Sequence, residues 1–144
     1  MKKWMLAIAV LFMGYGANAQ NEVLGEWFND IKSSKLQVYE ENGMYYGKVI
    51  WLERTTNLDG TSPRTDEINP DESLHGEKLM GKVILQGLKW NSSDKEWQEG
   101  TIYDPKSGKT YECYCAMQED GSLYFKGYIM GITWLGKSTV WTRN

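Results

Sequence analysis

The sharpest chemical feature of this chain is a pair of cysteines one residue apart, Cys113 and Cys115, followed by Met117. On a strand, residues two apart share a face, so these three side chains would form a row of soft ligands that could hold Cu(I). A disulfide between the two cysteines is hindered, because their Cα atoms would lie about 6.6 Å apart with parallel Cβ vectors. A strained or intermolecular disulfide stays open, and the favoured interpretation is two small apolar residues in the interior.

Acid–base chemistry has few candidate residues. His75 is the only histidine, which excludes a metal site built from several histidines, and its polar surroundings favour a solvated side chain. The chain has no Gly-x-Ser-x-Gly turn of the kind that holds a nucleophilic serine. Glu99 and Glu112 could form a carboxylate pair only if their strands placed them across a cleft. We therefore predict no catalytic residue, no metal site and no cofactor, which means that the protein is not an enzyme.

Large aromatic side chains are the main candidates for binding. Aromatic residues make up 13% of the chain, and on inward positions they either line a cavity for an apolar ligand or fill a small barrel. The sequence leaves both alternatives open. The candidate lining residues, taken with the two cysteines, are Tyr46, Trp51, Trp97, Tyr103, Tyr111, Cys113, Cys115 and Trp134.

Strands must position these residues, because period-two alternation recurs along the chain and the helical period is nearly absent. Tight turns such as Asn42-Gly43 join most of the predicted strands. Eight strands in sequential order predict an all-β fold, a single antiparallel up-and-down barrel whose closure removes exposed edges. The predicted strands cover residues 24–29, 35–40, 44–52, 79–89, 96–103, 109–118, 123–129 and 134–142.

Two motifs at the ends of the chain suit a closed barrel. Gly25 allows the first strand to bend sharply, and Trp27 can plug the closed end. Arg143, at the end of the last strand, can lay its guanidinium flat over that indole. Between the strands, the polar stretch 53–77 is the one long excursion, and its length predicts a lid that gates the barrel mouth.

The first 19 residues have the pattern of a signal peptide. A basic start with Lys2 and Lys3 precedes an apolar stretch, residues 4–13, that is too short to span a bilayer, and Ala17-Asn18-Ala19 is a typical cleavage site. We expect residues 1–19 to be removed and residues 20–144 to form one barrel domain. The expected product is exported from a bacterium, periplasmic or secreted, with no membrane span.

The charge balance excludes the usual polyanionic partners. The 144-residue chain carries a net charge of −3, and removal of the two signal-peptide lysines makes the mature chain more acidic. An acidic surface disfavours binding to nucleic acid and to anionic membrane surfaces.

Several motifs occur together along the mature chain. They are Gly25-x-Trp27, the run Tyr-Gly-Lys-Val-Ile-Trp at 46–51, Asn69-Pro70-Asp71, the segment 99–111 and Trp141-Thr142-Arg143. With them the chain resembles the bacterial domain-of-unknown-function family 2147, and Tyr-Asp-Pro-x-Ser-Gly-Lys-Thr-Tyr at 103–111 is the most specific part. The resemblance implies an exported barrel like those of the calycins (lipocalins and fatty-acid-binding proteins), closed by Gly25, Trp27 and Arg143, without known catalytic residues. Relatives often have Leu-Arg where this chain has Leu74-His75.

The favoured function is an exported, non-catalytic barrel that binds a small, largely apolar molecule in its interior. The alternative is an envelope structural, stress or protein-interaction module with a filled barrel, and the weakest alternative is an enzyme. A cavity above roughly 300 Å³ lined by aromatic residues would favour binding, whereas a packed centre would favour the interaction module.

Overall fold

The computed structural model of the chain describes residues 18–129 and 132–144, and for residues 132–135 the backbone alone. Most of the predicted signal peptide, residues 1–17, lies outside the described residues, and export stays a prediction. Within the described residues, no helix is both long enough and apolar enough to cross a bilayer.

Eight antiparallel strands follow one another across a single sheet in chain order, which confirms the predicted all-β, up-and-down architecture. Only β4 begins well after its predicted start at residue 79, because Leu79 still pairs with Arg64 in the preceding connection. The strands are β1 (Gly25–Phe28), β2 (Ser34–Glu41), β3 (Met44–Leu52), β4 (Val83–Asn91), β5 (Glu96–Asp104), β6 (Lys109–Met117), β7 (Leu123–Ile129) and β8 (Ile132–Trp141), and the described residues also form two short 3-10 helices, Ala19–Asn21 and Glu72–Leu74.

The first and last strands meet at one residue pair. The amide of Phe28 donates to the carbonyl of Thr142 at 2.7 Å, and the amide of Thr142 donates back at 3.1 Å. β1 ends there because the side chain of Asn29 accepts hydrogen bonds from the amides of Ser33 and Ser34, which turns the chain into β2. The sheet therefore curls around its core, and among the described residues a single isolated bridge joins its two edges.

The closing contact predicted between the two ends of the chain is confirmed. The guanidinium carbon of Arg143 lies 3.8 Å from the centroid of the Trp27 ring, and the guanidinium donates to the carbonyl of Leu24 at 3.2 Å. Gly25 has a φ of 110°, and a Cβ atom at this position would lie 3.1 Å from Nη1 of Arg143. A glycine is therefore required both by the backbone conformation and by the path of the arginine.

Aromatic side chains fill the end of the barrel beneath this contact. Trp97 packs against Tyr45 with ring centroids 6.4 Å apart and against Trp90 at 4.7 Å. The indole nitrogen of Trp97 donates to the carbonyl of Gln20, so the first 3-10 helix covers the same end. This end of the barrel is packed with side chains, and any hollow space must lie toward the other end.

Candidate ligand-binding cavity

The interior is hollow toward the end of the barrel where β1 turns into β2. A cavity of about 400 Å³ lies there. Small-molecule sites commonly measure roughly 300–1,000 Å³, so this volume suits one small ligand. Its buried apolar walls come from six elements of the fold, and they consist of Leu36, Val49, Leu52, Leu79, Ile84, Phe125 and Trp141.

Two stacked rings form a flat apolar part of the cavity wall. Phe125 on β7 and Trp141 on β8 lie nearly parallel, with centroids 4.1 Å apart and an interplanar angle of 8°. Both side chains are buried against the core. A flat surface of this kind provides dispersion contacts for a ring system or an extended chain.

The mouth of the cavity is marked by lining residues that reach solvent. Ile31, in the turn between β1 and β2, is 62% exposed, and Lys106 and Lys137 are also exposed. The cavity therefore opens between the β1–β2 turn, the β5–β6 turn and β8. Asp104 also lines it, but its carboxylate accepts hydrogen bonds from the Lys106 amide and the Ser107 hydroxyl and so stabilises its own turn.

The connection between β3 and β4, residues 53–82, contains the predicted lid and is attached to the barrel by the buried carboxylate of Asp66. This carboxylate accepts a hydrogen bond from the Tyr103 hydroxyl at 2.7 Å and one from the Asn69 amide at 2.8 Å. The Lys82 ammonium lies 3.0 Å from Oδ2, the carboxylate oxygen that also accepts from Asn69. Arg64 and Leu79 of the same connection line the cavity, but a gating motion stays a prediction.

The hydrogen bonds around Asp66 also determine its ionisation. Burial alone would raise the pKa of Asp66, but the hydrogen bonds from Asn69, Tyr103 and Lys82 and the charge of Lys82 outweigh burial and lower that pKa. Burial, together with the hydrogen bond to Asp66 and its charge, raises the pKa of the Tyr103 hydroxyl. Tyr103 thus remains a protonated donor to a carboxylate that stays ionised.

The β5–β6 turn packs against the same connection. Gly108 has a φ of 71°, and a Cβ atom there would clash with the carbonyl oxygen of Ile68. The most specific motif of the sequence, 103–111, is thereby in contact with the segment that contains Asn69-Pro70-Asp71. His75, expected to be solvated, is half-buried, and its Nε2 donates to the carbonyl of Asn69 at 2.6 Å.

Of the eight predicted lining residues, the structure brings Tyr103 to the cavity wall. Trp97, Cys113 and Cys115 point inward but are buried in the packed core beside the cavity. Tyr111 is half-buried and lies close to Gly127, but its own side chain does not line the cavity. Trp134 lies in β8, but its side chain lies outside the described residues.

Tyr46 and Trp51 lie on the outer face of β3, which corrects the prediction for both. The inward positions of β3 belong to Tyr45, Gly47 and Val49, so Tyr46 points outward and stacks on Tyr39 with centroids 5.8 Å apart. The next inward position would be Trp51, but a bulge leaves one extra residue opposite β2 between Val49 and Trp51. Leu52 therefore takes the inward position, and Trp51 is 41% exposed.

The two cysteines are free and completely buried. Cys113 pairs across the sheet with Gly100 and Gly127, while Cys115 pairs with Trp97 and Phe125. Burial raises the pKa of both thiols, which disfavours the thiolate needed for metal binding or nucleophilic chemistry. Across the described part of the chain, no group of three His, Cys, Asp or Glu side chains has a metal-binding arrangement. The two cysteines are therefore arranged as small core residues, and not as a disulfide or as ligands of a soft metal ion.

Thiol titration should find two reduced and shielded cysteines. We expect a disulfide-exchange reagent to react slowly with the folded protein and to react with two thiols once urea unfolds it, because burial excludes both the reagent and the thiolate form. Prior treatment with a reductant should not change the number of thiols that react. Two sulfurs that become reactive only after reduction would instead demonstrate a disulfide.

Sequence reasoning missed most of the cavity wall. Leu36, Val49 and Phe125 lie on the alternating inward face of their strands, and this alternation was the available signal. Arg64 and Leu79 lie in an irregular connection, where no periodicity indicates which side chain points toward the barrel.

Comparison with known proteins agrees with this fold. The sequence profile of a family of uncharacterized proteins conserved in bacteria, DUF2147, matches residues 25–143. No curated protein matches the chain. A similar solved structure is that of protein HP1028 from the human pathogen Helicobacter pylori, described as belonging to the lipocalin family. The two share 26% sequence identity over 84% of this chain and 82% of that chain, with a TM-score of 0.70.

Proposed function

The chain belongs to the DUF2147 family of uncharacterized bacterial proteins, and on this premise we propose that it is an exported, non-catalytic protein that binds a small, largely apolar molecule inside its barrel. The observation that carries the proposal is the solvent-accessible cavity of about 400 Å³ with apolar walls. The lipocalin-like fold of the chain is consistent with it.

The walls of the cavity supply the binding energy in this proposal. Transfer of apolar ligand surface from water contributes about 25 cal/mol per Å², so burial of about 300 Å² contributes about 7 kcal/mol before the entropic cost of association. The stacked rings of Phe125 and Trp141 are the aromatic part of the cavity's buried apolar wall.

Two polar side chains at the wall, Tyr103 and Asp104, are held in hydrogen bonds that stabilise the fold, which favours binding over catalysis. Tyr103 donates to Asp66, and Asp104 accepts from two groups of its own turn. A general acid or base must be able to reach the reacting group of a substrate. Both side chains would have to break hydrogen bonds of the fold before they could do so.

A cavity-filling substitution tests this proposal. Ile102 on β5 lines the cavity, whereas its neighbour Thr101 is exposed on the opposite face of the strand. We expect the protein, freed of endogenous lipid, to bind the neutral fluorescent probe N-phenylnaphthylamine. Ile102→Trp should weaken binding by at least about tenfold, since the added ring occupies the cavity, while Thr101→Trp should leave it unchanged.

The two variants keep the result interpretable. Circular dichroism and the midpoint of urea unfolding establish that both variants are folded. Absence of probe binding by the wild-type protein, or equal affinity of the probe for folded Ile102→Trp and wild type, would overturn the proposal.

A further inference from the structure

Three cations line the same cavity, and none of them forms a direct ion pair among the described residues. They are Arg64 from the β3–β4 connection, Lys106 from the β5–β6 turn and Lys137 from β8. The ion pairs found in the described residues involve three other lysines, Lys35, Lys82 and Lys89. The chain as a whole carries a net charge of −3, so a concentration of unpaired cations at this opening is a local feature.

The acidic residues at the cavity neutralise these cations only in part. Asp104 and Asp30 are the acidic side chains that line it. The two carboxylate oxygens of Asp104 accept hydrogen bonds from the Lys106 amide and the Ser107 hydroxyl within the turn. Asp30 is exposed to solvent. Three cations against two acids leave a net charge of +1 among the lining side chains, since a hydrogen-bonded carboxylate keeps its negative charge.

Arg64 is the cation that would gain most from an anion. It is half-buried, and its guanidinium has a single long hydrogen bond, 3.5 Å, to the carbonyl of Arg54. Burial and the positive charge of Arg54 lower the pKa of Arg64, while Glu67 partly opposes this effect. A half-buried cation next to a second cation is stabilised by a nearby negative charge, and electrostatic attraction is stronger where water is partly excluded.

We propose that the bound molecule is an anionic amphiphile, whose apolar part fills the cavity and whose carboxylate or phosphate lies at the mouth against Arg64, Lys106 and Lys137. This inference rests on the proposed function and specifies the ligand class of the same cavity. Arg64 is suited to a planar, two-oxygen contact, while the lysines act as point charges. A neutral molecule with the same chain would leave all three cations without a partner.

Competition between ligands of equal chain length tests the inference. Dodecanoate, monododecyl phosphate, dodecanol and dodecylamine are each used to displace N-phenylnaphthylamine from the protein. We expect at least one of the two anions to bind about tenfold more tightly than the alcohol, and the amine to bind more weakly still. Added salt should reduce the advantage of the anion, because the mouth is exposed to solvent. The comparison of the two anions identifies which head group the site accepts.

Matched variants separate charge recognition from structural damage. Arg64→Met, Lys106→Met and Lys137→Met together should remove the preference for the anions over dodecanol. Lys95→Met, in the turn between β4 and β5 at the packed end of the barrel, should retain the preference. Dodecanol that binds as tightly as both anions, or a triple variant that keeps the preference, would overturn the inference while the binding function stands. A protein that binds neither the probe nor any of the four molecules would overturn the binding function itself.

Discussion

Replacement of Trp27 by alanine is expected to lower the free energy of unfolding by about 3–5 kcal/mol, the range measured when large aromatic residues are removed from protein cores. The Trp27 side chain is completely buried, and its indole nitrogen donates to the carbonyl of Val23 at 2.8 Å. The substitution leaves a cavity at the packed end and removes the ring on which Arg143 lies. Domains of this size are stable by about 5–15 kcal/mol, so the expected loss is a large fraction of the total.

Trp51→Ala is the matched control for this experiment. Trp51 is 41% exposed on the outer face of β3 and contacts the ring of Phe28 edge-on. We expect its removal to change the free energy of unfolding by about 1 kcal/mol or less, since solvent occupies the vacated space. Urea unfolding followed by circular dichroism measures both variants. Equal losses for Trp27→Ala and Trp51→Ala would contradict the role of Trp27 as the core of the barrel closure.

The architecture was predictable because two signals in the sequence have a direct physical cause. Strands with one buried face alternate in polarity, which gave β3 and β7 with the bounds that the structure has. The pairing of Gly25, Trp27 and Arg143 was predictable because a glycine, an indole and a guanidinium have complementary shapes and electrostatics at a barrel end.

The lining of the cavity was less predictable, because a one-residue change of register moves a side chain to the other face. Tyr45 and Tyr46 are adjacent tyrosines, and composition gives no reason to prefer the first for the interior. The bulge that leaves one residue unpaired between Val49 and Trp51 then reverses the alternation within the same strand. Neither a bulge nor a register can be located from one sequence when both faces carry aromatic residues.

Asp66 shows the same limit for polar residues. In the sequence it is one of several acids in a polar stretch, which is typical of a solvated loop. In the structure its side chain is completely buried, because Tyr103, from a strand distant in sequence, and Lys82, from the far end of the same connection, supply its partners. The polar stretch is therefore an attached wall of the cavity, and its attachment depends on contacts that no local pattern encodes.

Replacement of Asp66 by alanine is the second change with a large expected effect. The loss of one partner of a buried ion pair costs about 3 kcal/mol or more, since the remaining groups are left without a counter-charge or acceptor. Lys82 keeps its second ion pair, with Glu77 at 2.6 Å. We therefore expect the loss in the free energy of unfolding to be close to about 3 kcal/mol. Asp59→Ala, which removes an exposed carboxylate from the same connection, should leave the unfolding midpoint close to that of the wild type. Equal losses in the two variants would contradict the attachment through Asp66.

The ionisation of Asp66 extends this prediction to pH. The pKa of Asp66 is lower in the folded protein than in the unfolded chain, where an aspartate has a pKa of about 3.9. The ionised carboxylate therefore stabilises the fold fully above the unfolded value, and this contribution is lost as the pH falls through the folded pKa. Urea unfolding of the wild type and of Asp66→Asn, at neutral pH and at about pH 3, measures this contribution. The stability difference between them should shrink in acid, because the unfolded chain takes up a proton at this carboxylate at a pH where the folded protein still keeps it ionised. A difference that stays constant would show that its charge does not hold the connection to the barrel.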